Sequence, residues 1–286
     1  MNNGFLNIIK PDGLTSFQVI AKVRKKLGIK KVGHMGTLDP AGVGVLPLAI
    51  GKATKMFNLM QNKTKTYFAI FVFGKQTDTL DAFGKIEQID INCKIDENKI
   101  KEKLSTFEGE ILQLPPKFSA KKINGQRAYD LARLGKDFEL QPKKVFVEKF
   151  SLIDKIFDNA FLFEIKCSSG TYIRSLCRDL ALELNTCAYM PLIIRSEIDW
   201  FNLNNGVTLN DFLLSDNPEG YIINIENVHK LPQINLDNKN YAKIRNGITI
   251  PIENTDGKYY LNYNNLIFAI GDVSNKKLKM EIYLDD

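Results

Sequence analysis

One carboxylate, Asp39, sits in a stretch that is otherwise glycine, small and apolar: Gly33-His34-Met35-Gly36-Thr37-Leu38-Asp39-Pro40, then Gly42, Gly44 and the apolar run Val45 to Ile50. An acid on such a loop can serve as a nucleophile or as a base, provided the loop is held still. Glycine lets the backbone come close to a ligand, and Pro40 biases Asp39 toward an extended conformation. The run Val45-Leu46-Pro47-Leu48-Ala49-Ile50 reads as a buried anchor under the loop. A rigid base beneath an irregular loop is a common way to present a catalytic side chain. An isolated Asp-Pro is more often a plain turn whose carboxylate binds nearby backbone.

The elements that must position this loop are legible from periodicity. Phe5 to Ile9 predicts a first strand, followed by a turn at Lys10-Pro11-Asp12-Gly13. Thr15 and Gln18 have capping-box spacing, and Phe17, Ile20, Val23 and Leu27 predict a helical stripe closed by Gly28. Ala53 to Met60 can continue as a helix. Thr66 to Gly74 is β-rich and apolar on both faces, as a central strand requires, and on composition alone Tyr67 at its start is core packing. Asp96 begins a short helix ended by Gly109. Val145 to Ile153 and Ala160 to Cys167 predict two strands joined at Asp158-Asn159. Ser168 to Leu176 turns strand into helix, with Thr171 as the expected N-cap. An arginine in that first turn, Arg174, opposes the helix dipole and needs another reason to be there. Val207 to Leu214 looks helical. From about Leu231 the chain reads as short strands with Asn/Asp/Gly turns at Asn246-Gly247, Asp256-Gly257 and Asn264-Asn265.

The 286 residues, 44% of them hydrophobic, allow one large domain, or a main domain with a small appendage. The net charge of +6 suggests a polyanionic partner, and its placement says more. Up to Lys31 there are seven Lys/Arg against Asp12 alone, and from Lys117 to Lys149 nine against four acids. After Asn210 the balance turns acidic, eight against eleven. The four cysteines form no CxxC and have no histidine at ligand spacing, which argues against zinc and for reduced thiols. No signal peptide is legible, and no apolar run is long enough for a membrane span, so a soluble, cytoplasmic chain is expected.

Several strings at fixed spacing resemble the bacterial tRNA pseudouridine-55 synthase family. They are KPDGLTSFQVIAKVRKKL, then GHMGTLDPAGVGVLPLAIGKATK, then Lys65-Thr66-Tyr67 with Gly74, Thr77-Asp78-Thr79, Asp81 and Gly84. QLPPKFSAKKINGQRAY with Ala132-Arg133, CSSGTYIRSL, and the segment Pro191 to Ser196 complete the set. The resemblance covers roughly residues 4 to 200, with a weaker tail. It implies an α+β pseudouridine synthase fold, a mixed or antiparallel central sheet flanked by helices, with a small C-terminal β-rich PUA-like domain. It also implies a catalytic domain over 1–230, carrying a basic RNA-binding insertion over about 117–149, and a PUA-like RNA-binding domain over 231–286.

The same resemblance implies roles for residues. Asp39 takes the catalytic place, Tyr67 that of an active-site tyrosine, and Arg174 that of an arginine meeting the aspartate. His34 is placed to fill the space left by a flipped base, Tyr172 to line the base pocket, and Ile194 to lie in the segment near it. Lys10, Lys121, Lys122 and Arg127 are expected to contact RNA. The implied reaction isomerises a uridine in the T-loop of tRNA: N1–C1′ breaks, the uracil rotates and C5 rejoins C1′. It moves no electrons to an acceptor, so it implies neither cofactor nor metal. The expected partner is the tRNA T-stem-loop, with no membrane, no protein partner, and the chain acting as a monomer. A non-catalytic tRNA-binding or folding chaperone is the alternative, one that would need the basic arms but not Asp39, Tyr67 and Arg174 together. An aspartate-dependent hydrolase would need a second acid or a metal site, and only two histidines, His34 and His229, are present.

Overall fold

A strand apolar on both faces needs a packed layer on each side, and the first strand sets that requirement. In a computed structural model, which describes residues 3–60, 64–119, 121–123 and 125–284, β1 (Gly4–Lys10) is buried almost throughout. Leu6 and Ile8 face one core, Phe5 the other. Thr15 then caps α1 (Ser16–Leu27): its Oγ1 accepts from the Gln18 amide at 3.1 Å, and its own amide donates to Gln18 Oε1 at 2.8 Å. The buried stripe is Ser16, Val19, Ile20 and Val23. Phe17, expected inside, is 67% exposed, because it lies about 100° round the helix from that stripe.

β2 (Val32–His34) and β3 (Gly42–Ile50) follow, with the Asp39 loop between them. β3 divides its side chains as β1 does: Leu46, Leu48 and Ile50 into the first core, Val45 and Ala49 into the second. Gly51–Met60 is a 3₁₀ segment, and β4 (Lys65–Phe73) is the expected central strand. A small hairpin of β5 (Lys75–Thr77) and β6 (Ile86–Ile89) precedes α2 (Glu97–Leu104) and β7 (Gly109–Gln113). A second hairpin, β8 (Lys122–Ile123) and β9 (Gln126–Arg127), leads into α3 (Ala128–Arg133). β10 (Lys143–Phe157) and β11 (Ala160–Cys167) turn at Asn159, whose φ is +58°. The basic arm therefore ends earlier than the 117–149 read from charge: residues from Lys143 onward pair with β7 in the sheet.

α4 (Ile173–Glu183) is capped at Tyr172, not at Thr171, and no side chain caps it. Instead Gln113 brackets the Tyr172 backbone, its Oε1 accepting from the amide at 2.8 Å and its Nε2 donating to the carbonyl at 3.1 Å. β12 (Ala188–Ile198), β13 (Phe201–Asn202), β14 (Val207–Thr208) and α5 (Leu209–Leu214) complete the layer. Among the described residues the central sheet has ten strands, ordered β14-β1-β3-β12-β4-β11-β10-β7, with β2 on β3 and β13 on β12. It is mixed, since β12 runs parallel to β3 and antiparallel to β4. Helices α1, α2, α4 and α5 contribute buried residues to the core on one face.

Beyond α6 (Ile225–Val228), the C-terminal part is a five-stranded sheet of β15 (Gln233–Asn235), β16 (Ile250–Pro251), β17 (Gly257–Tyr263), β18 (Leu266–Ser274) and β19 (Lys277–Tyr283), with helix α7 (Asn238–Arg245) after β15. Asn246-Gly247 is thus the end of a helix rather than a hairpin turn. Tyr260, Ile270 and Leu284 pack with Phe5, Val45 and Ala49, so this small β-rich PUA-like unit is the second layer that β1 and β3 require.

The register has one tight point. Arg195 of β12 lies opposite Gly44 on β3 and Tyr67 on β4. Gly44 has φ +102°, and a Cβ there would stand 2.3 Å from the Arg195 carbonyl oxygen. Gly44→Ala combines a disfavoured backbone with a clash against a central strand, and should destabilise by about 3–5 kcal/mol in urea titrations. Gly13→Ala has a similar φ (+79°) but open space around it, and should lose only about 1 kcal/mol.

Candidate active site

Asp39 is held by its backbone and freed at its side chain. Three side chains from three elements fix the loop. From β12, Arg195 donates through Nε to Val45 O at 2.8 Å, through Nη1 to Thr37 O at 3.1 Å and through Nη2 to Gly36 O at 3.0 Å. At the start of α1, Ser16 Oγ donates to the Leu38 carbonyl at 3.0 Å and accepts from the Leu38 amide at 2.9 Å. At the end of β1, Lys10 Nζ donates to the carbonyls of Pro40 (3.1 Å), Pro11 (2.8 Å) and Leu14 (2.6 Å). The Asp39 carbonyl accepts from the Gly42 amide at 2.9 Å, closing the turn into β3.

The Asp39 carboxylate faces a cleft of about 490 Å³ and meets Arg174, whose Nη2 lies 2.7 Å from its Oδ2. The Asp39 side chain is 44% exposed and that of Arg174 only 6%. Arg174 is tied on its other sides: Nη1 donates to Thr79 O at 2.9 Å, Nη2 to Phe118 O at 3.1 Å, and Asp81 Oδ2 stands 3.6 Å from Nη1. Asp81 is itself oriented by Thr79 Oγ1 and the Phe83 amide. These contacts supply the reason a first-turn arginine needed.

Tyr67, Tyr172, His34, Phe57, Met190 and Ile193 form much of the remaining wall. Burial pushes the Tyr67 phenol up to about 12, against a hydrogen bond from Arg195 that favours its ionised form. Burial first, and the Arg195 charge second, lower the His34 pKa; its Nδ1 accepts from the Gly36 amide at 3.3 Å. The imidazole is therefore neutral near pH 7.

The structure redistributes several expected residues. Lys10 is fully buried and bonds loop carbonyls, which takes it away from any RNA phosphate. Ile193 rather than Ile194 lines the cleft, because alternate residues of β12 face opposite sides. Lys121 Nζ donates to Gln141 O at 2.8 Å and does not line the cleft. The side chains of Lys122 and Arg127 lie outside the described residues. Ser16, Arg195, Asp81 and Lys65 were not singled out from sequence. For Lys65 the signal was available: it stands two residues before Tyr67, hence on the same face of β4.

Residues 24–173 match the family model described as TruB family pseudouridylate synthase (N terminal domain). The chain is 38% identical over 281 residues to a tRNA pseudouridine synthase B of Caldanaerobacter subterraneus subsp. tengcongensis, covering 97% of each. It is 42% identical over 261 residues to a protein of the same name from Aquifex aeolicus, covering 89% of each. Among solved structures it is similar to a chain of a Cbf5-Nop10-Gar1 complex, with a TM-score of 0.71 and 24% identity over 98% of this chain and 84% of that one. That likeness carries the fold.

Burial leaves Lys65 with a pKa of about 8, against 10.5 when free. Between those values the unfolded chain holds the extra proton, so this group's contribution to stability rises with pH through that window and is absent below it. Stability measured for wild type minus Lys65→Met should therefore move in favour of wild type by about 2 kcal/mol from pH 8 to pH 10. A difference independent of pH would mean that the ammonium is not desolvated.

Proposed function

The chain belongs to the TruB family of pseudouridylate synthases, and on that premise we propose that it isomerises uridine 55 in the T-loop of tRNA to pseudouridine, with Asp39 as the catalytic carboxylate. The observation that carries this reading is the Asp39–Arg174 contact of 2.7 Å at a cleft walled by Tyr67. Arg174 is immobilised before any substrate arrives, so it holds the Asp39 carboxylate in place without reorganisation. The carboxylate can then attack C1′ or take the ribose 2′ proton; in both routes the N1–C1′ bond breaks and its electron pair stays on the pyrimidine. Tyr67 stacks on the freed ring while it turns; C5 then bonds C1′ as the Asp39–C1′ bond breaks, or as the 2′ proton returns, and the C5 proton leaves while N1 gains one.

The base must leave its stack to enter the cleft. His34, neutral and on the rim strand β2, is the group to occupy the vacated space. The segment from Lys117 to Arg133 supports the RNA contact. Phe118 offers its carbonyl to Arg174, and Ser119 lines the cleft, so the base of the basic arm touches the site. The proposal has the chain acting as a monomer, in the cytoplasm beside its tRNA. No helix among the described residues is long and apolar enough to cross a membrane.

Unmodified tRNA incubated with the protein should gain a single pseudouridine at the T-loop position, found by chemical mapping; tRNA left without it would refute the function. Asp39→Asn keeps the shape of the side chain and removes its charge. It should lower the single-turnover rate by about 10³-fold or more while tRNA affinity stays within a few-fold. Arg174→Lys exchanges a planar fork for a point charge, and should lower turnover by about 10²-fold, more than any change in affinity.

A further inference from the structure

Among the described residues, Arg174 and Lys65 line the cleft and Arg195 lies behind it, and the two arginines are fully engaged. Arg174 is occupied by Asp39, Asp81, Thr79 O and Phe118 O. Arg195 is occupied by the carbonyls of Gly36, Thr37 and Val45 and by the Tyr67 hydroxyl. Lys65 differs. Its residue is 9% exposed, it lines the cleft, and among the described residues its ammonium has one hydrogen-bond partner, Ser169 Oγ at 2.7 Å, and no carboxylate. Lys65 and Tyr67 project from the same face of β4, so the ammonium sits beside the ring on which the pyrimidine stacks. A buried cation with donors to spare and no counterion is unfavourable in the free protein. It becomes favourable when an anion enters.

The reaction makes such an anion. When N1–C1′ breaks, the pyrimidine keeps the bonding electron pair, spread over O2 and O4, until C5 bonds C1′ and the C5 proton is lost. Tyr67 stays a neutral phenol, and His34 is neutral. We propose that Lys65 is a further catalytic residue of this chain, its ammonium stabilising the negative charge on the detached pyrimidine. No bond to Lys65 forms, and its proton need not transfer: the charge passes back into the new C–C bond and the N1–H. Lys65 lies under Gly36, where a Cβ would stand 3.4 Å from its Cε, and a flipped base reaches further into a cleft than the backbone that carries it. The depth of the ammonium favours the base.

This inference rests on the uridine isomerisation proposed above. Two RNA stem-loops, with uridine or 5-fluorouridine at the target position, separate the two. Fluorine at C5 makes the departing ring a more stable anion, so a group that stabilises the anion matters less to it. The readout for both is disappearance of the starting nucleoside in single turnovers at saturating RNA, which needs no loss of a C5 proton. Wild type must convert the uridine RNA; if it does not, the reading of the function fails and not this one. Lys65→Met should lower the uridine rate by about 10²- to 10³-fold and the 5-fluorouridine rate by about tenfold or less. An equal loss on both RNAs, a loss of affinity alone as a phosphate contact would give, or no loss would each overturn the assignment.

Should Lys65→Met fail to fold, the pH profile at subsaturating RNA, which reports the free enzyme, decides instead. The wild-type rate should fall as pH rises through about 8, and in Lys65→Arg that limb should move to higher pH. The groups facing Lys65 are Arg195 on β12, Cys167 on β11, held at about 11, and Tyr67 at about 12, and none of these titrates near 8. Lys10, behind the Asp39 loop, is also brought to about 8, so the limb is assigned to Lys65 by its shift in Lys65→Arg and not by its position alone. A flat wild-type profile from pH 7 to 9.5, or a limb unmoved in Lys65→Arg, would overturn the proposal.

Discussion

The structure depends on a buried guanidinium. Arg195 is fully buried, and its hydrogen bonds go to backbone carbonyls of Gly36, Thr37 and Val45 rather than to a carboxylate. Desolvation works against its charge, which Tyr67 and the Asp39 carboxylate help to retain. A planar fork reaches three carbonyls in fixed directions, which a lysine ammonium cannot do. One side chain of β12 thus ties the Asp39 loop to β3 and sets the Tyr67 hydroxyl on β4. The near contact that forces glycine at position 44 is the consequence of bringing β12 close enough for this.

The two arginines divide the work. Arg195 lies behind the loop and fixes its path, while Arg174 approaches from α4 and meets the half-exposed carboxylate. Both guanidiniums are bound on several sides, so neither must reorganise when charge moves in the cleft, which is the condition for electrostatic catalysis. Lys10 and Ser16 add loop contacts from β1 and α1, so the first thirty residues hold the loop in place as well as carrying basic charge.

Periodicity made most strands and α1 legible, because burial on one or both faces leaves a direct mark on residue order. The two-sided run Thr66 to Gly74 and the capping box at Thr15 needed no tertiary information. What was hidden is tertiary. Arg195 bonds residues roughly 150 positions away, and nothing local distinguishes a buried guanidinium from a surface one. Lys10 was expected from the resemblance to contact RNA, and the three carbonyls around its ammonium are visible only in the folded chain. Ile194 missed the cleft by one residue, since a strand's facing depends on register. Asp81 accepts from the Phe83 amide within its own turn, and that turn also sets it against Arg174. The cap at Tyr172 was out of reach because Gln113, which brackets its backbone, arrives from a different strand.

The central claim is that the Asp39 loop is fixed before RNA arrives, and amide hydrogen exchange on the free protein tests it most directly. The Leu38 amide donates to Ser16 Oγ at 2.9 Å and the Met35 amide to Pro47 O at 2.9 Å. If Arg195, Ser16 and Lys10 hold the loop, both amides exchange through openings within about 1–2 kcal/mol of global unfolding. Exchange at rates near those of an open chain, while β3 and β4 stay protected, would mean that the loop is ordered only by its substrate.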